Sequence, residues 1–389
     1  MAYTLVVLTA QQLPRFLTKR GDLCDYCFIV PRSILAPSAQ RMYTKKHSGS
    51  DKDQHAKEGA NHSYNNAVIQ WRKKMSSRTC IAVDSTCDLP AKFIQQHNIE
   101  VLPIYINHSK GQELDYRDPQ TMLNFYKNHS RDVYGLAQSD PLSVNDMTDI
   151  LRERLLPKYD LVQVVTINSK KSDVFKRVSE AALVNEPKFR EMERTEGRAP
   201  FRIRLYDSMS MFTGHALLVY ELVKRIHVDN LPLNKSIREI DNMRDQVYGY
   251  LIPNDLSYMR ERRHLRKGDN NISWINFKLA SALNLRPIVQ LHRGATDKID
   301  TGKGFLGALE KLFAHVKKQI QQGLTSEVVA MSYGGLLEDI KDEPILVEFR
   351  EFCKQYNVKT MLSMMSMTGA INVGPKSFAL SFATDKDLV

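Results

Sequence analysis

The stretch Val83-Asp84-Ser85-Thr86-Cys87-Asp88-Leu89 decides how this chain is read. It follows a short apolar run, residues 80–83, and leads through Pro90 into a helix-like segment ending near His97. Strand, hydroxyl-bearing turn and helix start therefore succeed one another. Asp88 suits the helix N-cap and Pro90 the first turn, where a missing N–H costs little. Such a turn aims backbone N–H groups and hydroxyls at one spot, which fits an anionic or polar group. The same residues also fit a capped connection that holds no ligand.

Outward from this turn the pattern alternates. Residues 80–83, 100–106, 161–167 and 201–206 are short, apolar and β-branched, as buried parallel strands are. Helical segments fall between them at 119–129, 144–155 and 170–184, so a parallel sheet covered on both faces is expected. Residues 186–200 are strongly charged and read as a long surface loop. A helix over 214–226 is followed by Asp229-Asn230-Leu231-Pro232, which breaks the chain and places a domain boundary near Leu233. Further strands are expected at 246–252, 286–291, 327–332, 360–364 and 377–383. Leu309, Leu312, Phe313, Val316 and Ile320 fall on one helical face, and Pro344 opens another helix over 344–356. The reading is α/β with two domains, 78–233 and 234–389, after an extension over 1–77.

Composition narrows the classes. A chain of 389 residues with 42% hydrophobic residues has material for two packed cores. Its longest apolar runs, such as 101–106, are far below the ~20 residues that span a bilayer. Residues 1–77 carry twelve Lys/Arg against five Asp/Glu, so seven of the eleven net positive charges lie there. The basic balance thus belongs to the extension, and nucleic-acid binding by the body does not follow from it. Residues 38–74 are polar and poor in aliphatics, so disorder is expected. Met75 is the expected biological start, with a basic arm for acidic membrane or RNA as the alternative. The start does not resemble a signal peptide, and five scattered cysteines fit a reducing, cytoplasmic setting. Cys24 and Cys27 form only half of a metal motif.

In open α/β sheets ligands gather at the carboxyl ends of strands. Three expected strand ends here bear small polar side chains: Ser85 and Thr86, Asn168 and Ser169, Asp207 and Ser208. Each alone also fits a helix cap. No Ser–His–Asp set, His pair with metal-ligand spacing or Gly-Lys-Ser/Thr phosphate loop is present in the sequence.

The turn at 84–89 resembles the signature that opens DegV family proteins. Further pieces follow in the family's order: Val164-Val165-Thr166-Ile167-Asn168-Ser169, Leu205-Tyr206-Asp207-Ser208, Leu265-Arg266-Lys267-Gly268 with Ile272-Ser273, Leu285-Arg286-Pro287-Ile288, and Thr368-Gly369-Ala370-Ile371-Asn372-Val373-Gly374-Pro375. The resemblance runs over 79–383. It implies a parallel-sheet N-terminal domain, a mixed-sheet C-terminal domain, and a fatty acid held in a tunnel between them. It implies a non-enzymatic carrier with no cofactor, which presents its acyl ligand to a fatty acid kinase.

The expected head-group residues are Ser85, Thr86, Gln138, Asn168, Ser169, Asp207, Ser208, Asn270, Asn372 and Gly374. This sequence departs from the family's set. The loop that usually reads Thr-Ser-Gln-Pro is Leu136-Ala137-Gln138-Ser139, Asn168 replaces a serine, and Asn372 and Asn270 stand at the family's His and Arg positions. The head-group end is thus expected to favour an ionised carboxylate less than in the family, unless His264, Arg263 or His215 supplies a cation. Rival readings are a phosphate- or sugar-processing enzyme using Asp84, Asp207 and Asp173, and a scaffold with a degenerate pocket.

Overall fold

The computed structural model describes residues 78–128, 131–197, 200–262 and 283–388. The expectations for residues 1–77, including the Cys24/Cys27 pair and the extension's disorder, and those for Arg263, His264 and Asn270 lie outside the described residues. In chain order, β1 (Thr79–Asp84) leads into the short α1 (Ala91–Gln96) and β2 (Glu100–Leu102). Pro103 cannot donate to a ladder, and the expected strand over 100–106 divides there. Its second part, β3 (Ile104–His108), pairs instead with β4 (Gly111–Asp115). After α2 (Pro119–Asn128) and α3 (Arg131–Tyr134), β5 (Gln138–Pro141) joins the other edge of β3, completing a small antiparallel sheet that sequence pattern did not suggest.

The chain continues through α4 (Val144–Asp149), which widens into a π-helical turn over Ile150–Leu155, to β6 (Leu161–Thr166), α5 (Val174–Glu196) and β7 (Arg202–Asp207). The order β2-β1-β6-β7 is parallel throughout. Residues 80–84 are all buried, and their alternation sorts them between two layers. Cys80 and Ala82 face α5, whereas Ile81 and Val83 face α6 (Phe212–His227).

The charged stretch 186–200 is corrected from a loop to helix. α5 runs on to Glu196 through Pro187, because Phe189 and Met192 pack under the sheet while the charges of Lys188, Arg190, Glu191 and Arg194 face outward. Glu193 fastens its end by accepting from Phe201 N and Arg202 Nη1.

Beyond α6 come α7 (Leu233–Arg244), β8 (Val247–Ile252), α8 (Leu256–Glu261), β9 (Leu285–His292), β10 (Ala295–Lys303), α9 (Gly304–Gln322), β11 (Val328–Tyr333), α10 (Pro344–Gln355), β12 (Lys359–Met364), α11 (Met367–Val373) and β13 (Phe378–Ala383). These strands form a mixed sheet in the order β10-β9-β8-β13-β11-β12. One face packs Tyr250, Ile252, Phe378, Leu380 and Phe382 against the expected apolar stripe of α9 and against Phe349 of α10. The two α/β layers meet at α6, where eleven of sixteen residues are buried. Leu217, Leu218, Val219 and Leu222 share one core with Ile81 and Val165 of the parallel sheet and with Val328, Ala330 and Ala383 of the mixed sheet.

Candidate functional site

The decisive turn is buried from Asp84 to Leu89. Asp84 Oδ1 accepts from Thr86 N at 3.0 Å and Thr86 Oγ1 at 2.5 Å, while Oδ2 accepts from Ile167 N at 2.6 Å. One carboxylate thereby closes its own turn and ties it to the end of β6. Asp88 does not cap α1; Pro90 takes the N-cap position and no side chain serves the cap. Asp88 instead turns toward the mixed sheet. Its Oδ2 accepts from Ser332 Oγ at 2.6 Å, its Oδ1 from Ser366 N at 2.9 Å, and its backbone carbonyl from Ser363 Oγ at 2.6 Å.

Arg117 completes this joint. Its Nη1 lies 3.1 Å from Asp88 Oδ1, and its Nη2 donates to the carbonyls of Leu89 and Met364 at 3.0 and 3.1 Å. Asp115 Oδ2 accepts from the N–H and the hydroxyl of Thr368, each at 2.9 Å. Complete burial pushes the Asp88 and Asp115 carboxyls above their ordinary range, with Arg117 pulling the other way. Ser85 and Thr86 fall inside this joint: the Thr86 hydroxyl donates to Asp84, and Ser85 Oγ lies 3.4 Å from Thr368 Oγ1. The Ser85 hydroxyl thus meets the mixed-sheet layer at Thr368, while that of Thr86 is held within its own turn.

The other two strand ends form a second knot. Asp207 accepts from Ser169 N at 3.2 Å and from Met209 N at 2.8 Å, so it caps its own turn and the β6 end together. Ser208 donates to the Ser210 carbonyl, and Asn168 Oδ1 accepts from Lys170 N at 2.9 Å. Met209 and Phe212 sit at φ 49° and 51°, a strained region for bulky side chains. His215 is fully buried, with Nε2 3.1 Å from the Val165 carbonyl and no partner for Nδ1. Burial lowers its pKa, which disfavours the imidazolium that a carboxylate would need. Asp84 and Asp207 are occupied as backbone caps. Asp173 stands at the N-cap position of α5 without a side-chain cap bond.

The third group lies where β5 meets α11. The expected final turn is a short helix, capped by Ser366 and ended by Gly374 at φ 97°, with Tyr258 against its Cα. Asn372 Nδ2 donates to Ser139 Oγ at 2.9 Å and to the Thr368 carbonyl at 2.8 Å. Gln138 is corrected here: strand alternation turns it to solvent, and the next residue, Ser139, faces α11. A shift of one residue in the loop's alignment moves a hydroxyl from one face to the other, so sequence alone does not single out Ser139.

Beside this pair, Phe212, Leu251, Val289, Leu291, Met365 and Val373 form a separate apolar cluster. A cavity of about 330 Å³ opens between α2 and the turns of the mixed sheet, lined among others by Phe125, Tyr126, Tyr258, Leu336 and Ala370. A second, of about 400 Å³, is lined by Glu221, Lys224, Arg225, Glu239 and Glu327. Those charges pair with one another, which does not suit an apolar ligand. No group of three or more His, Cys, Asp or Glu that could hold a metal occurs among the described residues.

The family model described as "uncharacterised protein, DegV family" matches residues 78–385. A DegV domain-containing protein of Xanthomonas campestris is 33% identical over 309 residues, covering 79% of this chain and 98% of its own length. Among solved structures, a stearic acid-binding protein from Eubacterium ventriosum superposes with a TM-score of 0.61 at 16% identity, covering 78% of this chain and 97% of its own. The fatty acid kinase B3 protein of Streptococcus pneumoniae, loaded with linoleic acid, gives 0.55 at 14% identity over 79% and 99%.

Proposed function

This chain belongs to the DegV family, and from that premise we propose that it binds a long-chain fatty acid or a related acyl lipid in a tunnel between its two α/β layers. The observation that carries the reading is an adjacency. The apolar cluster around Phe212, Leu251 and Val289 ends at Val373, next to the half-buried Asn372–Ser139 pair. An acyl chain requires such a wall more than it requires a motif. Each buried CH₂ contributes about 0.8 kcal/mol, and a polar head at the end needs hydrogen-bond partners. The 330 Å³ cavity, lined by none of these residues, falls within the range of about 300–1,000 Å³ usual for small-molecule sites.

The ligands named for the Eubacterium and Streptococcus proteins support the same class. In this reading the chain is a carrier and not a catalyst, and its loaded form is presented to a fatty acid kinase. The enzyme alternative loses two of its three candidates, because Asp84 and Asp207 are closed on backbone N–H groups of their own turns and of the β6 end, which leaves Asp173 alone. Native mass spectrometry of protein made in bacteria is expected to show one long-chain lipid per chain, released by organic solvent. An extract with no lipid above a control protein, together with no binding of hexadecanoic acid by the stripped protein, removes the reading.

A further inference from the structure

Most of the histidines among the described residues have a partner at a ring nitrogen. His215 meets the Val165 carbonyl, His292 the Val247 carbonyl and His315 the Tyr250 hydroxyl. His108 accepts from Lys110 N and faces Glu113. His97 and His227 differ. Neither ring has a hydrogen-bond partner or a carboxylate among the described residues, and the two rings lie together, with centroids 5.7 Å apart and planes at 29°. The pair has a fixed base. The His97 ring lies 4.4 Å from that of Phe93, and Phe93 stacks on Tyr220 at 5.4 Å. Both aromatic rings pack against the core around α6. His97 is half-buried on this base, whereas His227 is exposed.

The place of the pair favours a positive ion. His97 follows α1 as its C-cap residue, and His227 is the last residue of α6. The free carbonyls at the end of a long helix carry partial negative charge. The two other basic residues in that last turn, Lys224 and Arg225, are matched by Glu327 and by Glu221 with Glu239. An imidazole nitrogen with an unused lone pair is a ligand for borderline-soft ions. Two imidazoles sharing one ion, each at about 2.0–2.1 Å, have ring centres roughly 5 Å apart. The observed spacing is within a small side-chain rotation of that value, and the exposed His227 is free to make it. We propose that His97 and His227 together bind one divalent transition ion of the zinc, nickel and copper class, with water in the remaining positions. Two protein ligands are fewer than the three or four of catalytic and structural zinc centres. The site is therefore a reversible clamp joining α1 to α6, separate from the lipid-binding reading above.

The test titrates Ni²⁺ into the full chain by calorimetry at pH 7.5, in the natural protein, His97→Ala, His227→Ala and the double variant. The cysteines and histidines of residues 1–77 are present in all four proteins, so any ion they take is common to the set. The natural protein should bind one equivalent, in the micromolar range, that each single variant binds at least tenfold more weakly. The double variant should lose nothing further, because a chelate fails when either arm is removed, whereas independent sites lose binding additively. Ni²⁺ should also raise the melting temperature of the natural protein more than that of any variant, because the two rings meet only in the folded chain. His227 is exposed, so His227→Ala keeps the test decisive even where His97→Ala disturbs the fold. Equal Ni²⁺ binding by the natural protein and His227→Ala overturns the proposal, since the ion then sits elsewhere. Partial losses that add in the double variant overturn it as well, by making the two rings separate ligands.

Discussion

Asp88 shows how far a single residue departs from its local sequence signal. Its place before Pro90 fits a cap, yet its carboxylate crosses to the mixed sheet and meets Ser332, Ser366 and Arg117. Nothing within several residues of Asp88 encodes those partners, so only the folded chain reveals the role. Replacing Asp88 by Ala leaves the Arg117 charge buried without its carboxylate. We expect a loss of about 3–5 kcal/mol, the usual cost of removing one partner from a buried pair, measured by urea unfolding. Ser332→Ala removes a single hydroxyl donor and should cost clearly less, about 1–2 kcal/mol. Equal losses for the two variants would contradict the central place of the Asp88–Arg117 pair. The buried His215 is a comparable case: sequence offers it as a cation, but its burial beside β6 is not visible there.

Among the elements, those with apolar periodicity were legible and those without it were not. The parallel strands and α9 announced themselves because their side chains are buried on regular faces. β10, with residues such as Asp297, Lys298 and Asp300 exposed, and β5, with Gln138 and Asp140 outward, carry no such signal. They are strands because backbone pairing with β9 and β3 recruits them. α5 was hidden by its charge and by Pro187. It ends at Gly197, at φ 62°, where an added Cβ meets nothing within 4 Å. Gly197→Ala should therefore destabilise through backbone conformation alone, by about 1 kcal/mol, read as a small fall in melting temperature.

The link between β2 and the π-turn should respond to pH. Burial raises the Glu100 carboxyl, but hydrogen bonds and charge from Arg154, with Tyr159 and Lys158, outweigh it, and the net pKa is lowered. A depressed carboxylate contributes stability above its unfolded pKa and loses it as pH falls through the folded one. The Glu100→Gln penalty, about 1 kcal/mol at pH 7 for this partly exposed cluster, should shrink steadily below about pH 4.5. A penalty that stays constant down to pH 3 would show that the charge plays no part.

For the molecule as a whole, the order of turns along the sequence was enough to indicate the two-layer α/β body, because strand ends and helix starts are local. How the layers meet was not, since the joint is built from residues distant in sequence. Ser76–Val389 constitutes one unit by its internal contacts. Residues 38–74 are polar and poor in aliphatics, so removal of residues 1–74 should shift the melting temperature by less than about 4 °C. A larger fall would show that the extension stabilises the body.

The sharing of α6 bears on how the protein is made. A ribosome delivers the parallel sheet and α6 well before residues 328–383, yet one flank of that helix is completed by Val328, Ala330 and Ala383. The last strand to emerge, β13, is also an interior strand, paired with both β8 and β11. Until synthesis nears its end, one flank of a largely buried helix and two open strand edges have no cover. Nascent chains of this kind are the ones that aggregate or engage chaperones. Losing even the final dozen residues would therefore take Ala383 from that flank and leave β8 and β11 without the strand that joins them.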